Sequence, residues 1–157
     1  MKIHQKIDSW LGNTLVILTI LITLDVLWGV ITRYIGGNQA AWTEELARFL
    51  LIWIGLLGTA YVSGQRKHLA IELLIPKLSH QNQKILRGFI SLLVILFAVM
   101  VMLVGGFNLI YLTYTLEQFS PSLKLPMWFV YLVVPLSGGL ILYYEIRSLF
   151  SPSFQEA

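Results

Sequence analysis

Residues 31–53 read ITRYIGGNQAAWTEELARFLLIW, a polar stretch between two long apolar runs. Gly36 and Gly37 break the helical pattern of the first run, and a second helical pattern begins at about Glu44. Because only about six residues separate the two patterns, we expect the helices to form a tight antiparallel hairpin. This hairpin decides the fold, since the rest of the chain repeats the same alternation of apolar run and short polar link.

The composition predicts a membrane protein. The chain has 157 residues, of which 57% are hydrophobic and 12% charged, whereas a soluble domain carries roughly a quarter charged residues. Each apolar run is long enough to span a bilayer of about 30 Å, and a single soluble core could not absorb all of them. The sequence therefore predicts an all-α membrane protein, a single integral membrane domain over 1–157 with four transmembrane helices at about 10–34, 44–64, 86–115 and 125–149.

The basic side chains predict the orientation of these spans. They gather before span one, in the link between spans two and three, and at the end of span four: Lys2, Lys6, Arg66, Lys67, Lys77, Lys84, Arg87 and Arg147. Positive charge favours the cytoplasmic side, so both termini and the 65–85 link are predicted to be cytoplasmic. The same distribution accounts for the net charge of +3 without a nucleic-acid partner.

Three local patterns refine this topology. The segment LAIELLI, closed by Pro76, predicts a short interfacial helix in the cytoplasmic link, with an ordinary loop as the alternative. Pro135 is expected to kink span four. The first apolar run is longer than the apolar region of a signal peptide, and no small-residue cleavage site follows it closely, so we expect a span there.

Charged residues mark the start of span two. Glu44 and Glu45 lie in its first turn, where the helix dipole favours anions, and Arg48 follows at spacings that allow pairing with either acid. Trp42 suits a membrane interface. One interpretation is a solvated helix start. The other is an ion-paired cluster in which Arg33, at the same membrane level, joins Arg48 in neutralising both acids and fixing the hairpin.

Asp25 lies well inside span one, in the predicted outer half of the membrane. An intramembrane carboxylate is a candidate functional group; proton coupling is one role, and hydrogen bonding within the bundle or to a partner helix is the other. The three histidines, His4, His68 and His80, lie outside the spans, which argues against an axially ligated haem. Since no nucleophile–base pair, metal-ligand cluster or phosphate loop is apparent, we expect neither an enzyme nor a bound cofactor or metal.

Several motifs together resemble a known family. Arg33-Tyr34, the segment WTEELAR (42–48), Gly58 and the segment HLAIELL (68–74) are similar to the small membrane subunit of tripartite ATP-independent periplasmic (TRAP) transporters, the DctQ-like family. The likeness covers essentially the whole chain. Family members often carry Asp where this chain has Glu72, a change that keeps the charge.

The resemblance implies a multi-pass subunit of a bacterial inner membrane. Its partners would be a large, multi-span DctM-like permease subunit with Na⁺ sites, a periplasmic solute-binding protein and the surrounding lipids. The small subunit would scaffold the large one, and the cargo would be an organic acid such as a C4-dicarboxylate, a 2-oxo acid or, as our preference, sialic acid. Structural or interface roles then fall to Arg33, Trp42, Glu44, Glu45, Arg48, His68 and Glu72, beside Asp25.

Two other functions fit the residues. The chain could be a self-contained proton-coupled carrier with Asp25 as its coupling acid, or it could anchor some other membrane complex. Neighbouring reading frames for a large permease and a secreted solute-binding protein would distinguish the transporter subunit from both.

Overall fold

The computed structural model describes residues 2–38, 40–65 and 80–149. In chain order the elements are α1 (Lys2–Gly36), α2 (Ala41–Gly64), α3 (His80–Phe97), a π-helix (Ala98–Gly105), α4 (Gly106–Thr115), α5 (Met127–Tyr131) and α6 (Val133–Leu149). Four helical stretches are long and apolar enough to cross a membrane: Lys6–Gly36, Ala41–Gly64, Gly88–Thr115 and Met127–Ser148. The four predicted spans are confirmed, with ends shifted by a few residues. The predicted interfacial helix, with His68 and Glu72, lies outside the described residues.

The predicted hairpin of α1 and α2 is present. Gly36 ends α1, and Gly37 has φ +75°, a left-handed conformation that glycine adopts at little cost. The amide of Ala40 donates to the hydroxyl of Thr32 at 3.3 Å, which holds the link against the last turn of α1. Further along, Leu15 of α1 lies 4.0 Å from where a Cβ on Gly58 of α2 would stand. Contact between an early residue of α1 and a late residue of α2 is what an antiparallel pair requires.

The third span contains a π-helix that the sequence does not predict. Helical structure is continuous from His80 to Thr115, and the eight residues Ala98–Gly105 form its π-helical part. A Cβ added to Gly138 of α6 would lie 2.7 Å from the Cβ of Met102 in the π-helix. The π-helix and α6 therefore approach each other at a position where only glycine leaves enough room.

The fourth span is interrupted near its start, as Pro135 predicts. Pro126 is the N-cap of α5, and the helix breaks at Leu132 before α6 begins. Because Pro135 has no backbone N–H, it cannot donate to the carbonyl of Tyr131, and its ring crowds that turn. The proline thus accounts for the position of the break.

The chain divides into two compact units, one of residues 1–58 and 108–133 and the other of residues 59–107 and 134–157. The first unit buries Leu11, Phe49, Leu57, Val130 and Val133, and the second buries Ala60, Ala98, Met102, Ile141 and Tyr144. Many large apolar side chains outside these cores are exposed, and only 11% of the most apolar window of the first span is buried. Such helices need lipid or another protein around them.

Candidate functional site

The charges at the start of α2 form one ion pair. The Glu44 carboxylate lies 3.6 Å from the guanidinium of Arg48, one helical turn later. The side chains are 73% and 67% exposed, respectively, so water and salt screen the pair strongly. Trp42, just before them, is 39% exposed. This part of the cluster matches a solvated helix start.

Glu45 binds a loop instead of a basic side chain. Its Oε2 accepts hydrogen bonds from the backbone amides of Ser122 and Leu123 at 3.0 Å and 2.9 Å. Those amides belong to the 116–126 loop, which also carries hydrogen bonds of its own. The backbone amide of Ser120 donates to the carbonyl oxygen of Leu125 at 2.9 Å, and the backbone amide of Met127 donates to the carbonyl oxygen of Gln118 at 2.9 Å. Glu45 therefore fixes a structured loop to the start of α2.

The predicted four-charge cluster is only partly formed. In the parts of the chain covered by the structure, no ion pair joins Arg33 to Glu44 or Glu45. The physical reason is that two backbone amides compete with the guanidinium groups for Glu45. They already donate hydrogen bonds to one oxygen of its carboxylate. Arg33, for its part, is exposed to solvent and is hydrated there. Hydrogen bonds to a carboxylate are also stronger than those between neutral groups.

Asp25 borders a cavity between α1 and the first turns of α2. The cavity has a volume of about 370 Å³ and is lined by Asp25, Val26, Val30, Arg33, Tyr34, Thr43, Glu44 and Ala47. Asp25 is 6% exposed. Neither of its carboxylate oxygens has a hydrogen-bond partner among the described residues. The structure thus brings together Asp25, Arg33 and Glu44 of the predicted site residues around one partly enclosed space.

A second buried acid, Glu145 of α6, was missed by the sequence analysis. It is 3% exposed and accepts hydrogen bonds from the hydroxyls of Ser63 on α2 and Ser91 on α3, at 3.4 Å and 3.0 Å. In the sequence it stands two residues before Arg147, where an acid resembles an ordinary charge at the end of a span. The available signal was a carboxylate inside the apolar run ILYYEI, together with serines inside two other spans.

The three carboxylates, Asp25, Glu45 and Glu145, are placed to bind donors and to position neighbouring segments. No group of three His, Cys, Asp or Glu side chains that could hold a metal occurs within 2–38, 40–65 and 80–149. Glu45 and Glu145 each satisfy donors from other segments, whereas Asp25 offers an acid beside an open space. The first compact unit therefore holds the Glu45 tie and the acidic cavity beside Asp25, and the second holds the Glu145 tie.

Comparison of the amino-acid sequence with known proteins identifies a family. The family model described as "Tripartite ATP-independent periplasmic transporters, DctQ component" matches residues 22–154. A protein of Haemophilus influenzae named putative TRAP transporter small permease protein is 29% identical over 152 residues, covering 97% of this chain and 90% of that protein.

Two further relatives are matched over less of their length. The isethionate TRAP transporter permease protein DctMQ of Oleidesulfovibrio alaskensis is 33% identical over 123 residues, or 77% of this chain and 19% of that protein. The C4-dicarboxylate TRAP transporter small permease protein DctQ of Rhodobacter capsulatus is 30% identical over 118 residues, or 73% of this chain and 50% of that protein. The chain thus spans about a fifth of one relative and half of the other.

The four apolar helices and the family match together identify a multi-pass helical protein of the inner membrane. The chain belongs to the DctQ component family of tripartite ATP-independent periplasmic transporters. It is accordingly a small permease component of a transporter and not an enzyme.

Proposed function

We propose that this chain is the small permease subunit of a Na⁺-coupled, binding-protein-dependent secondary transporter of organic acids. The observation that carries the proposal is the family match over residues 22–154, supported by a small permease relative matched over 90% of its length. The relative whose name joins DctM and DctQ is matched over 19% of its length, which leaves room for a much larger component in the same polypeptide.

In this proposal the chain scaffolds the large subunit and does not itself form the substrate pathway. Two of its intramembrane or interfacial acids have structural roles. Glu45 holds the 116–126 loop to α2, and Glu145 links α6 to α2 and α3. The exposed apolar side chains of α1, such as Leu24 and Leu27, offer surface for a partner helix or lipid. These features suit a rigid brace.

The cargo we propose is an organic anion. Three substrates are named among the relatives: isethionate, an organosulfonate, C4-dicarboxylates and, for a permease of Haemophilus influenzae, sialic acid. All three are organic acids that are negatively charged at neutral pH. Sialic acid stays our preferred prediction within this class, and a neighbouring gene for a solute-binding protein would allow direct measurement of the ligand.

We further propose that both termini face the cytoplasm and that the 116–126 loop faces the periplasm, where the solute-binding protein docks. The bias of Lys and Arg toward the termini and the 65–85 link supports this orientation. Reporter fusions that are active only in the periplasm should be silent at both termini and active within the loop. The reverse pattern would overturn the topology.

The decisive experiment is reconstitution in liposomes. The large subunit, this chain and the solute-binding protein together should take up the organic acid when a Na⁺ gradient is applied. Omission of this chain should abolish uptake, and this chain alone should transport nothing. Uptake by the chain alone that is lost in Asp25→Asn would instead favour a self-contained carrier, the function suggested by the unpartnered burial of Asp25.

A further inference from the structure

Asp25 occupies an inward position of α1. Leu11 and Leu18 precede it at intervals of seven residues, and Thr32 follows at the same interval. A spacing of seven keeps side chains on one face of a helix. Leu11 is fully buried and Asp25 is 6% exposed, whereas the adjacent Val26 is 49% exposed. The acid therefore stands on the packed face of α1 and not on its outer apolar face.

The carboxylate of Asp25 lacks a donor. Both oxygens are buried, and neither meets a hydrogen-bond partner among the residues the structure describes. Buried polar groups in native proteins are almost always satisfied, because removal from water without a replacement hydrogen bond is unfavourable. Intramembrane acids in particular pair with another charge or face the interior of an assembly. The geometry points to a donor that arrives when the transporter assembles.

The cavity beside Asp25 gives such a donor a way in. Its inner part is formed by Asp25 and by Thr43, which is 2% exposed. Val26, Val30 and Tyr34 form the outer part and are 49%, 47% and 82% exposed. The volume of about 370 Å³ accommodates a long side chain. The Thr43 hydroxyl already donates to Ala40 O at 2.7 Å, so it does not satisfy the acid.

The charges around the cavity favour a cation. Glu44 also lines it, and the ion pair of Glu44 with Arg48 is exposed and weak. Arg33 lies at the exposed end, about 12 Å from Asp25 along the helix axis. Arg48 balances Glu44, so among the described residues the buried carboxylate of Asp25 is the uncompensated charge in the inner part of the cavity, which makes that part complementary to positive charge. The open side of the cavity runs along α1. Of the four spans, the first has the smallest fraction of buried residues in its most apolar window. The occupant therefore most readily comes from a neighbouring membrane helix.

We propose that Asp25 receives the side chain of a lysine or arginine from a membrane helix of the large permease subunit, inserted between Val26 and Val30 of α1 and the first turns of α2. The inference rests on the proposed function, because it requires the two subunits to associate. It assigns Asp25 to subunit recognition and not to proton transfer. Pairing within the chain, between Asp25 and Arg33, is the rival explanation.

The test uses the large permease subunit of the same transporter, copurified through a tag on this chain. Asp25→Asn should lower recovery of the large subunit at least tenfold while leaving the thermal midpoint of the isolated chain unchanged or raised, since an unpaired acid has been removed. Glu117→Gln, a charge removal at an exposed loop residue, should leave recovery and midpoint at wild-type values. Full recovery with Asp25→Asn would overturn the inference.

Arg33→Gln tests the rival. If Asp25→Asn and Arg33→Gln lower the midpoint of the isolated chain alike, the acid pairs internally and the inference fails. Next, each Lys and Arg in the spans of the large subunit is replaced by Gln. The partner is the residue whose replacement lowers recovery at least tenfold without further loss when Asp25→Asn is added. If no basic residue behaves so, the inference fails. If the wild-type subunits do not copurify at all, the proposed function itself fails.

Discussion

The hydroxyl of Ser91 on α3 donates a 3.0 Å hydrogen bond to Oε2 of Glu145 on α6. Oε1 of the same carboxylate accepts a second hydrogen bond, of 3.4 Å, from Ser63 on α2. Glu145 is 3% exposed, so both bonds lie away from solvent. A single acid thus collects hydroxyl donors from two other helices and ties three spans together within one compact unit.

Glu145→Ala should lower the free energy of unfolding by about 1–2 kcal/mol. Hydrogen bonds to charged groups contribute about 1.5–3 kcal/mol, but hydrogen bonds inside membrane proteins average about 0.6 kcal/mol because freed groups find other partners. Ser63 and Ser91 can turn back to their own helix carbonyls, so we expect a value between these limits. The measurement is unfolding of the isolated chain by SDS in bicelles.

Glu117→Ala is the matched control for that prediction. Glu117 is an exposed acid in the loop after α4, and surface substitutions usually change stability by less than about 0.5 kcal/mol. If Glu145→Ala and Glu117→Ala unfold with the same free energy, the hydroxyl contacts of Glu145 do not stabilise the three spans.

Much of the fold was predictable because membrane spans are a matter of length and apolar content. Four runs of sufficient length gave four helices, and the glycines after Ile35 marked the end of α1. The break in span four was also predictable, since Pro135 acts on the carbonyl four residues before it regardless of its neighbours. The π-helix was not, because eight apolar residues carry no pattern that distinguishes it from an α-helix.

The polar contacts were less predictable because they depend on which helices become neighbours. Arg48 stands near both Glu44 and Glu45 in sequence, and that spacing correctly suggested a pair with Glu44. The amides that bind Glu45 lie 77 and 78 residues further along the chain. The same limit hid Glu145, whose two serine partners come from other spans. Local spacing describes one helix, whereas these contacts are made only after packing.

Glu45→Gln should loosen the 116–126 loop. Gln keeps one acceptor oxygen but loses the charge, and charged acceptors bind roughly twice as strongly as neutral ones. We expect amide hydrogen exchange at Ser122 and Leu123 to quicken about tenfold, the equivalent of about 1.4 kcal/mol. Glu44→Gln is the control one residue away, because Glu44 is exposed and, among the described residues, pairs with Arg48 alone. Equal exchange rates in the two variants would contradict the role of Glu45.

The separation of Glu45 from the ion pair predicts additivity. A cycle of Glu45→Ala and Arg48→Ala should give free energies of unfolding that add within about 0.5 kcal/mol, as expected for residues without a shared interaction. The cycle of Glu44→Ala and Arg48→Ala should show a small favourable coupling of at most about 1 kcal/mol. A coupling above that value between Glu45 and Arg48 would restore the four-charge cluster.

Gly138 and Gly139 are neighbours on α6 with opposite surroundings. A Cβ on Gly138 would lie 2.7 Å from the Cβ of Met102 and 3.5 Å from the carbonyl oxygen of Ala98, both in the π-helix. Within the part of the chain that the structure describes, no atom outside the nearby residues of α6 lies within 4 Å of where a Cβ on Gly139 would stand. Because Met102 presents its Cβ and not the flexible end of its side chain, rotation of that side chain cannot relieve the contact.

Gly138→Ala should therefore destabilise the chain by about 1–3 kcal/mol, the usual cost of overpacking a close contact. Gly139→Ala should have the opposite sign, since alanine favours a helix over glycine by about 0.5–1 kcal/mol and the added methyl group meets no neighbour. The measurement is the free energy of unfolding of both variants in bicelles. Because the same substitution is made at two adjacent positions, a difference between the variants reports the surroundings of each glycine. If both variants are stabilised to the same degree, α6 is not held against the π-helix at the distance described.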